Sequence, residues 1–135
     1  MASASFALQA AMFSKLSSDA AVTAALGGAR IYDEVPVRGQ FPYLTFGLTT
    51  ERDWSTGTDP GHEHVVTLHV WSRARGRMEA DAVLSAAQAA LHDQSLVLSG
   101  HRLVNLRHEF SDARREPDGE TYQGIARFRA VTEPI

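Results

Sequence analysis

Residues 62–93, HEHVVTLHVWSRARGRMEADAVLSAAQAALHD, constrain the fold more than any other part of the chain. They carry two hydrophobic periods back to back. From His62 to Trp71 the period is two: Val66, Leu68 and Val70 fall on one side, and Val65, His69 and Trp71 on the other. Such a strand is covered at least in part on both faces. After an arginine-rich turn the period becomes helical, with Ala80, Leu84, Ala87 and Leu91 on one stripe and Met78 and Val83 beside it. Arg77, Asp81, Ser85, Gln88 and His92 fall mostly away from that stripe. A stripe this rich in alanine lets a helix lie close against a sheet. A strand, a tight turn and one amphipathic helix are the expected centre of a small α+β domain.

The flanking sequence fits that centre. Residues 4–16 read as a helix with Phe6, Ala10, Phe13 and Leu16 on one face. Ser17 or Ser18 then leads into a second short helix, SDAAVTAAL, in which Asp19 favours the N-terminus and Gly27-Gly28 the end. Arg30-Ile31-Tyr32 is a short extended piece, and Pro36 and Pro42 mark an edge or irregular segment after it. Residues 43–51 alternate, with Leu44, Phe46 and Leu48 opposing Tyr43, Thr45, Gly47 and Thr49. Residues 52–61, RDWSTGTDPG, hold no apolar run and are expected to form a mobile connection between two antiparallel strands. Past the central helix, Leu96-Val97-Leu98 is a short approach to a strand from Arg102 to Phe110, with Val104, Leu106 and Phe110 on one face. DARREPDG then reads as a charged turn closing on the hairpin signal Asp118-Gly119. In the last strand, residues 122–131, Tyr122, Ala126, Phe128 and Ala130 oppose Gln123, Arg127 and Arg129. The expected fold class is α+β: a mostly antiparallel sheet of about four strands with helices largely on one face, in the order α-α-β-β-α-β-β.

With 135 residues, 44% of them hydrophobic and 21% charged, the chain has the make-up of one soluble globular domain. A formal charge of −3 gives no general pull toward nucleic acid, and the lack of cysteine removes disulfides, thiolate nucleophiles and cysteine-based zinc sites. The opening MASASFALQAAMF is too short to span a bilayer and lacks a basic leader, so no membrane association is expected. His62, Glu63, His64 and His69 come nearest to a metal site. On a strand, however, His62 and His64 face one way and Glu63 and His69 the other, short of the three or four converging ligands zinc requires. No Gly-x-Ser-x-Gly elbow, Gly-x-Gly-x-x-Gly fingerprint or phosphate-binding Gly-Lys-Ser/Thr loop occurs. No catalytic residue, cofactor or metal is therefore assigned, and an enzyme is not supported. Arg73, Arg75 and Arg77 crowd into five residues; they form either a solvated turn or a contact with an acidic partner or passing DNA backbone. Arg127 and Arg129 carry the same alternatives. Trp54, a large aromatic in a polar loop, either folds back on the sheet or meets a partner.

Several short signatures follow one another along the chain. Asp19, Val22 and Leu26 give D-x-x-V-x-x-x-L; Arg30-Ile31-Tyr32 and a Pro42-Tyr43 strand start come next. His69-Val70-Trp71-Ser72, a glycine and the helix follow, then Gly100-x-x-Leu103-Val104, Asp118-Gly119 and Gly124-x-x-Arg127-Phe128-Arg129. In this order and spacing they resemble the tail-completion or tail-terminator family of long-tailed phages, prophages and gene-transfer agents, from about Phe6 to Val131. The resemblance implies one tail-terminator-like domain over residues 1–135 and a non-enzymatic virion protein assembled in the bacterial cytoplasm. It implies a self-assembled ring, commonly a hexamer, at the head-proximal end of the tail tube. Such a ring ends tail polymerisation, meets tail-tube and head-completion or neck proteins, and lets DNA pass through its lumen.

A closing ring needs a heterologous interface, to which sheet edges and mobile loops are natural contributors. Arg52, Asp53, Trp54, Ser55, Thr56 and Asp59 are the expected contact loop, and deletion of residues 56–60 is expected to spare the fold while impairing tail joining. Arg73, Arg75, Arg77, Arg127 and Arg129 are the expected lumen or acidic-partner contacts. The rival functions are a small cellular protein-binding module and a histidine-dependent metal enzyme.

Overall fold

A computed structural model of the chain describes residues 3–135. Helices α1 (Ala4–Ser18) and α2 (Ala20–Leu26) come first, then strands β1 (Ile31–Tyr32), β2 (Tyr43–Asp53) and β3 (His62–Ser72). Helix α3 (Met78–Leu91) precedes β4 (Val97–Leu98), β5 (His101–Arg115) and β6 (Tyr122–Pro134). The strands form one six-stranded sheet in the order β1-β2-β3-β6-β5-β4, rather than about four strands. The two additional strands are only two residues long: β1 runs parallel to β2 at Leu44 and Thr45, and β4 folds back on His101 and Arg102. Every other pairing is antiparallel. Two of the long strands also run further than alternation alone suggests. Arg52 and Asp53 belong to β2, and Asp112 to Arg115 belong to β5 rather than to a charged turn.

Local chemistry accounts for the helix ends. Ser3 caps α1 by accepting the Phe6 amide, and Asp19 caps α2 by accepting the Val22 amide. Gly27 stops α2 in the left-handed conformation, while the Gly28 amide reaches back to the Thr23 carbonyl. The covered face of the sheet carries Leu44, Phe46, Val66, Leu68, Val70, Leu106, Ala126, Phe128 and Ala130, packed against all three helices in one core. Full burial of each larger side chain contributes about 1.5–3 kcal/mol. α3 buries Ala80, Val83, Leu84, Ala87, Ala90 and Leu91, the expected stripe, but leaves Met78 exposed. It lies so close to β6 that a Cβ on Gly124 would come within 3.0 Å of Leu84.

α1 turns a different side inward from the expected one. It buries Ala4, Ala7, Leu8, Met12 and Leu16 and leaves Phe6 and Phe13 exposed. Leu8, Met12 and Leu16 recur every four residues, and the small alanines beside them let the helix approach the sheet. The phenylalanines are the residues left over.

Three bulges overturn the simple alternation of β2 and β5. Gly47 and Leu48 together oppose Thr67, so Leu48 is thrown out and is 73% exposed instead of joining Leu44 and Phe46. In β5 the register slips at Val104 and again at Glu109. Leu106 stays in the core, but Val104 becomes exposed and Phe110 moves to the opposite, open face. The bulge at Gly47 is tied to a close approach: a Cβ there would overlap the His69 imidazole. That ring is held by Gln123 at 2.9 Å and stacked on Trp71 at 6.0 Å. Gly47→Ala is expected to cost about 1–3 kcal/mol by overpacking. In the Gly47→Ala/His69→Ala double variant, urea unfolding should show a cost well below the sum of the two single changes.

Candidate functional site

The open face and the two ends of the sheet carry the polar chemistry. At one end, β2 and β3 are joined by residues 54–61, a hairpin end with hydrogen bonds of its own. The Trp54 amide donates to the Gly61 carbonyl at 2.9 Å and the Thr56 amide to the Asp59 carbonyl at 2.8 Å. Ser55 donates amide and hydroxyl to Asp53 and accepts the Gly61 amide. These Ser55 bonds hold the Asp53 carboxyl below its ordinary range.

Beside the loop, Glu63 bridges Arg52 and Arg129 across three strands. The Arg129 hydrogen bond first, and Arg52 second, hold the Glu63 carboxyl below the usual range against the opposing effect of its burial. Trp54 folds back over this triad, with Arg129 5.1 Å and Arg52 5.9 Å from its ring centre. Of the six expected loop residues, the structure brings Arg52 and Trp54 together with Arg129. Asp53 and Ser55 instead tie the loop to itself, and Thr56 and Asp59 close its tip. In the sequence Glu63 stands out only beside the histidines; its role as a bridge was not legible because its partners sit on two other strands and meet it only through the observed register. Arg127, two residues from Arg129 on the same open face, lies over the exposed Phe110 ring at 5.4 Å.

Arg73, Arg75 and Arg77 do not line one common cleft. Arg73 lies over Phe41 at 4.4 Å and donates Nε–H to the Thr121 hydroxyl at 3.1 Å. Arg73 and Arg75 line a cleft of about 450 Å³ with Arg115, Gly119, Glu120 and Tyr122. Arg77 faces a separate cleft with Asp81, Ser85 and Asp112. Arg115 escapes a sequence reading that places it in a solvated charged turn; only the 115–121 hairpin geometry brings it to the other two.

The histidines divide as the strand alternation requires. His62 and His64 lie on the covered face, 6.3 Å apart between ring centres, while Glu63 and His69 lie on the open face. Among the described residues no group of three His, Asp or Glu side chains is placed to hold a metal. His64 is fully buried, with Nε2 2.8 Å from the Thr132 hydroxyl and Nδ1 3.8 Å from Glu51. Burial pushes its pKa down, opposed by Glu51 and reinforced by His62 and His101. Burial acts in the same direction on His69 and His108.

A histidine with a depressed folded pKa refuses a proton that the unfolded chain accepts. Its stabilising effect is complete above the ordinary value of 6.5 and is lost as pH falls from there toward the folded pKa. Unfolding free energy should therefore decline between about pH 7.5 and about pH 5.5, and His64→Gln should flatten that decline. An unchanged slope in the variant would assign the acid sensitivity elsewhere.

No helix is long and apolar enough to cross a membrane among the described residues. The tail completion protein gp17 family profile matches residues 10–133. The chain belongs to this family. No curated protein matches it significantly. Among solved structures it is similar to a chain described as "Virion of native gene transfer agent (GTA) particle", with 36% identity and a TM-score of 0.87, covering 98% of this chain and 99% of that one. A second structure, 12% identical with a TM-score of 0.54 over 99% of this chain and 97% of that one, shares the fold alone. Membership agrees with the order of signatures from Asp19 to Arg129. It also places the exposed arginines and the bonded loop on a protein of a tail-completion family.

Proposed function

We propose that this chain is a structural virion protein of a phage-like or gene-transfer-agent particle, working as one unit over residues 1–135 at the head–tail junction. The observation that carries this reading is the 36% identity to the gene transfer agent chain across 98% of this sequence. In it, copies of the chain close into a ring, a hexamer, at the head-proximal end of the tail, where the ring ends tube polymerisation and joins tail to neck. The role is binding and geometry rather than catalysis.

Two features of the fold support a closing ring. Among the described residues, β1 pairs with β2 only at Leu44 and Thr45, which leaves the outer edge of β2 without a strand partner from Gly47 to the loop. On the far side, β4 and the His92–Asp93 turn cover β5 only as far as His108. Two unlike bare edges on opposite sides of one sheet suit a heterologous contact, in which each copy offers one edge to a different edge of the next. Residues 52–61 then extend from the β2 edge toward the tail tube or the neighbouring copy. The open face, with Arg127 and Arg129, is turned to the lumen, where DNA passes. Arg73 and Arg75 at the opposite end are left for a neck or tube protein. Mass spectrometry of purified tails and of neck-bearing particles tests the reading: the chain is expected in both, and its absence from both ends it.

A further inference from the structure

Most arginines of the open face are already neutralised or packed: Arg52 and Arg129 by Glu63, Arg114 by Asp112, and Arg127 over Phe110. Arg73, Arg75 and Arg115 differ. Among the described residues none of them is ion-paired, yet all three line one cleft. Two of them are held in place. Arg73 is fixed by Phe41 and Thr121, and Arg115 by two bonds to the Gly119 carbonyl. Arg75 stands at the turn with a φ of 47° and its side chain exposed. Three like charges in one cleft repel one another, offset in part by Glu120 in the cleft and by Asp118 facing Arg73, and an oxyanion between them removes the remaining cost.

Arg73 is also the wall of a second cleft of about 330 Å³, lined by half-buried Phe41, Tyr43 and Trp71. The Phe41 and Tyr43 rings lie 5.0 Å apart, and the Trp71 indole donates to Thr45 at 3.2 Å, so the aromatic surface is fixed before anything binds. Tryptophan, tyrosine and arginine side by side, rigid and part-exposed, have the make-up of a protein-binding hot spot. The acidic residues decide between a protein and a nucleic acid. Glu116 and Asp118 stand in the aromatic cleft and Glu120 in the arginine cleft. A continuous phosphodiester would run against all three carboxylates, whereas one isolated carboxylate reaches the guanidiniums between them.

We propose that these two clefts, joined at Arg73, form a docking site for a short protein segment presenting an apolar side chain next to a carboxylate. The apolar side chain fills the Phe41–Tyr43–Trp71 cleft and the carboxylate takes the donors of Arg73, Arg75 and Arg115. The proposal deepens the joining role above and rests on it for the presence of a protein partner. Its test is made on the purified chain, so its failure leaves the presence of the chain in particles untouched.

Titration of the labelled protein by nuclear magnetic resonance with acetyl-Ser-Leu-Asp-Ser-amide is expected to move the Trp71 indole and the Arg73 and Arg115 Nε–H signals, while the Trp54 indole stays in place. The same peptide with Asn for Asp should bind about tenfold more weakly, as the loss of one charge-assisted bond set implies. Arg75→Asn, which suits the left-handed backbone there, should weaken the Asp peptide by a similar factor and leave the fold unchanged. Equal binding of the Asn peptide, no shift with either peptide, or tighter binding of a short mixed-sequence DNA duplex at the same signals would overturn the proposal.

Discussion

Phe128→Ala is expected to lower the unfolding free energy by about 3–5 kcal/mol, the range for emptying a phenylalanine site in a packed core. Phe128 has no exposed surface, pairs with Val66 and His108 across β6, and meets the His108 ring edge-on at 5.4 Å. A domain of this size has only about 5–15 kcal/mol to lose, so the variant should unfold roughly 10–20 °C lower. Phe110 is the internal control. By plain alternation it shares the core with Leu106, but the bulge at Glu109 puts it on the open face, 43% exposed under Arg127. Phe110→Ala should cost only about 0.5–1 kcal/mol, the size of a surface cation–π contact. Equal losses for the two variants in urea unfolding would mean that β5 does not slip where the structure says it does.

Removal of the hairpin tip should impair tail joining while leaving stability nearly unchanged. The Thr56–Asp59 bond lies within the tip itself and Trp54–Gly61 is the bonded pair below it, so deletion of residues 56–60 leaves Ser55 alone to turn the chain. Replacement of those five residues by Asn-Gly gives a three-residue turn that the strand pair accepts. The Arg52–Glu63–Arg129 triad and Trp54 lie on the strand side of the cut and remain in place. The expected outcome is a variant with the unfolding midpoint of the intact chain and a population of separate heads and tails under the electron microscope. Joined particles in normal number would remove the loop from the assembly role.

The contrast between Phe128 and Phe110 also shows what a sequence of this kind discloses. The β3 and α3 patterns could be read directly because each keeps one period over ten residues or more, and burial follows that period closely from Val66 to Val70 and from Ala80 to Leu91. The extra residue at Leu48, Val104 or Glu109 has no compositional mark, yet each reverses every side chain beyond it. Gly47 was the single hint, since a glycine within a strand often marks a bulge or a close approach. α1 misled for another reason: two phenylalanines outweigh alanines in any hydrophobic pattern, whereas small residues are what let a helix settle on a sheet. The paired clefts were invisible because Phe41, the Trp71–Arg73 stretch and Arg115 come from three separate parts of the chain. Only the order β2-β3-β6-β5 brings them to one end of the sheet.

The proposal of a ring at the tail end is tested most directly by measuring tail lengths in particles made without this chain. Deletion of its gene, with electron microscopy of the resulting lysate, should give tails of uneven length that are not attached to heads. Supplying the intact chain should restore a single length and normal joining. Tails of uniform length attached to filled heads in the deletion strain would contradict the account.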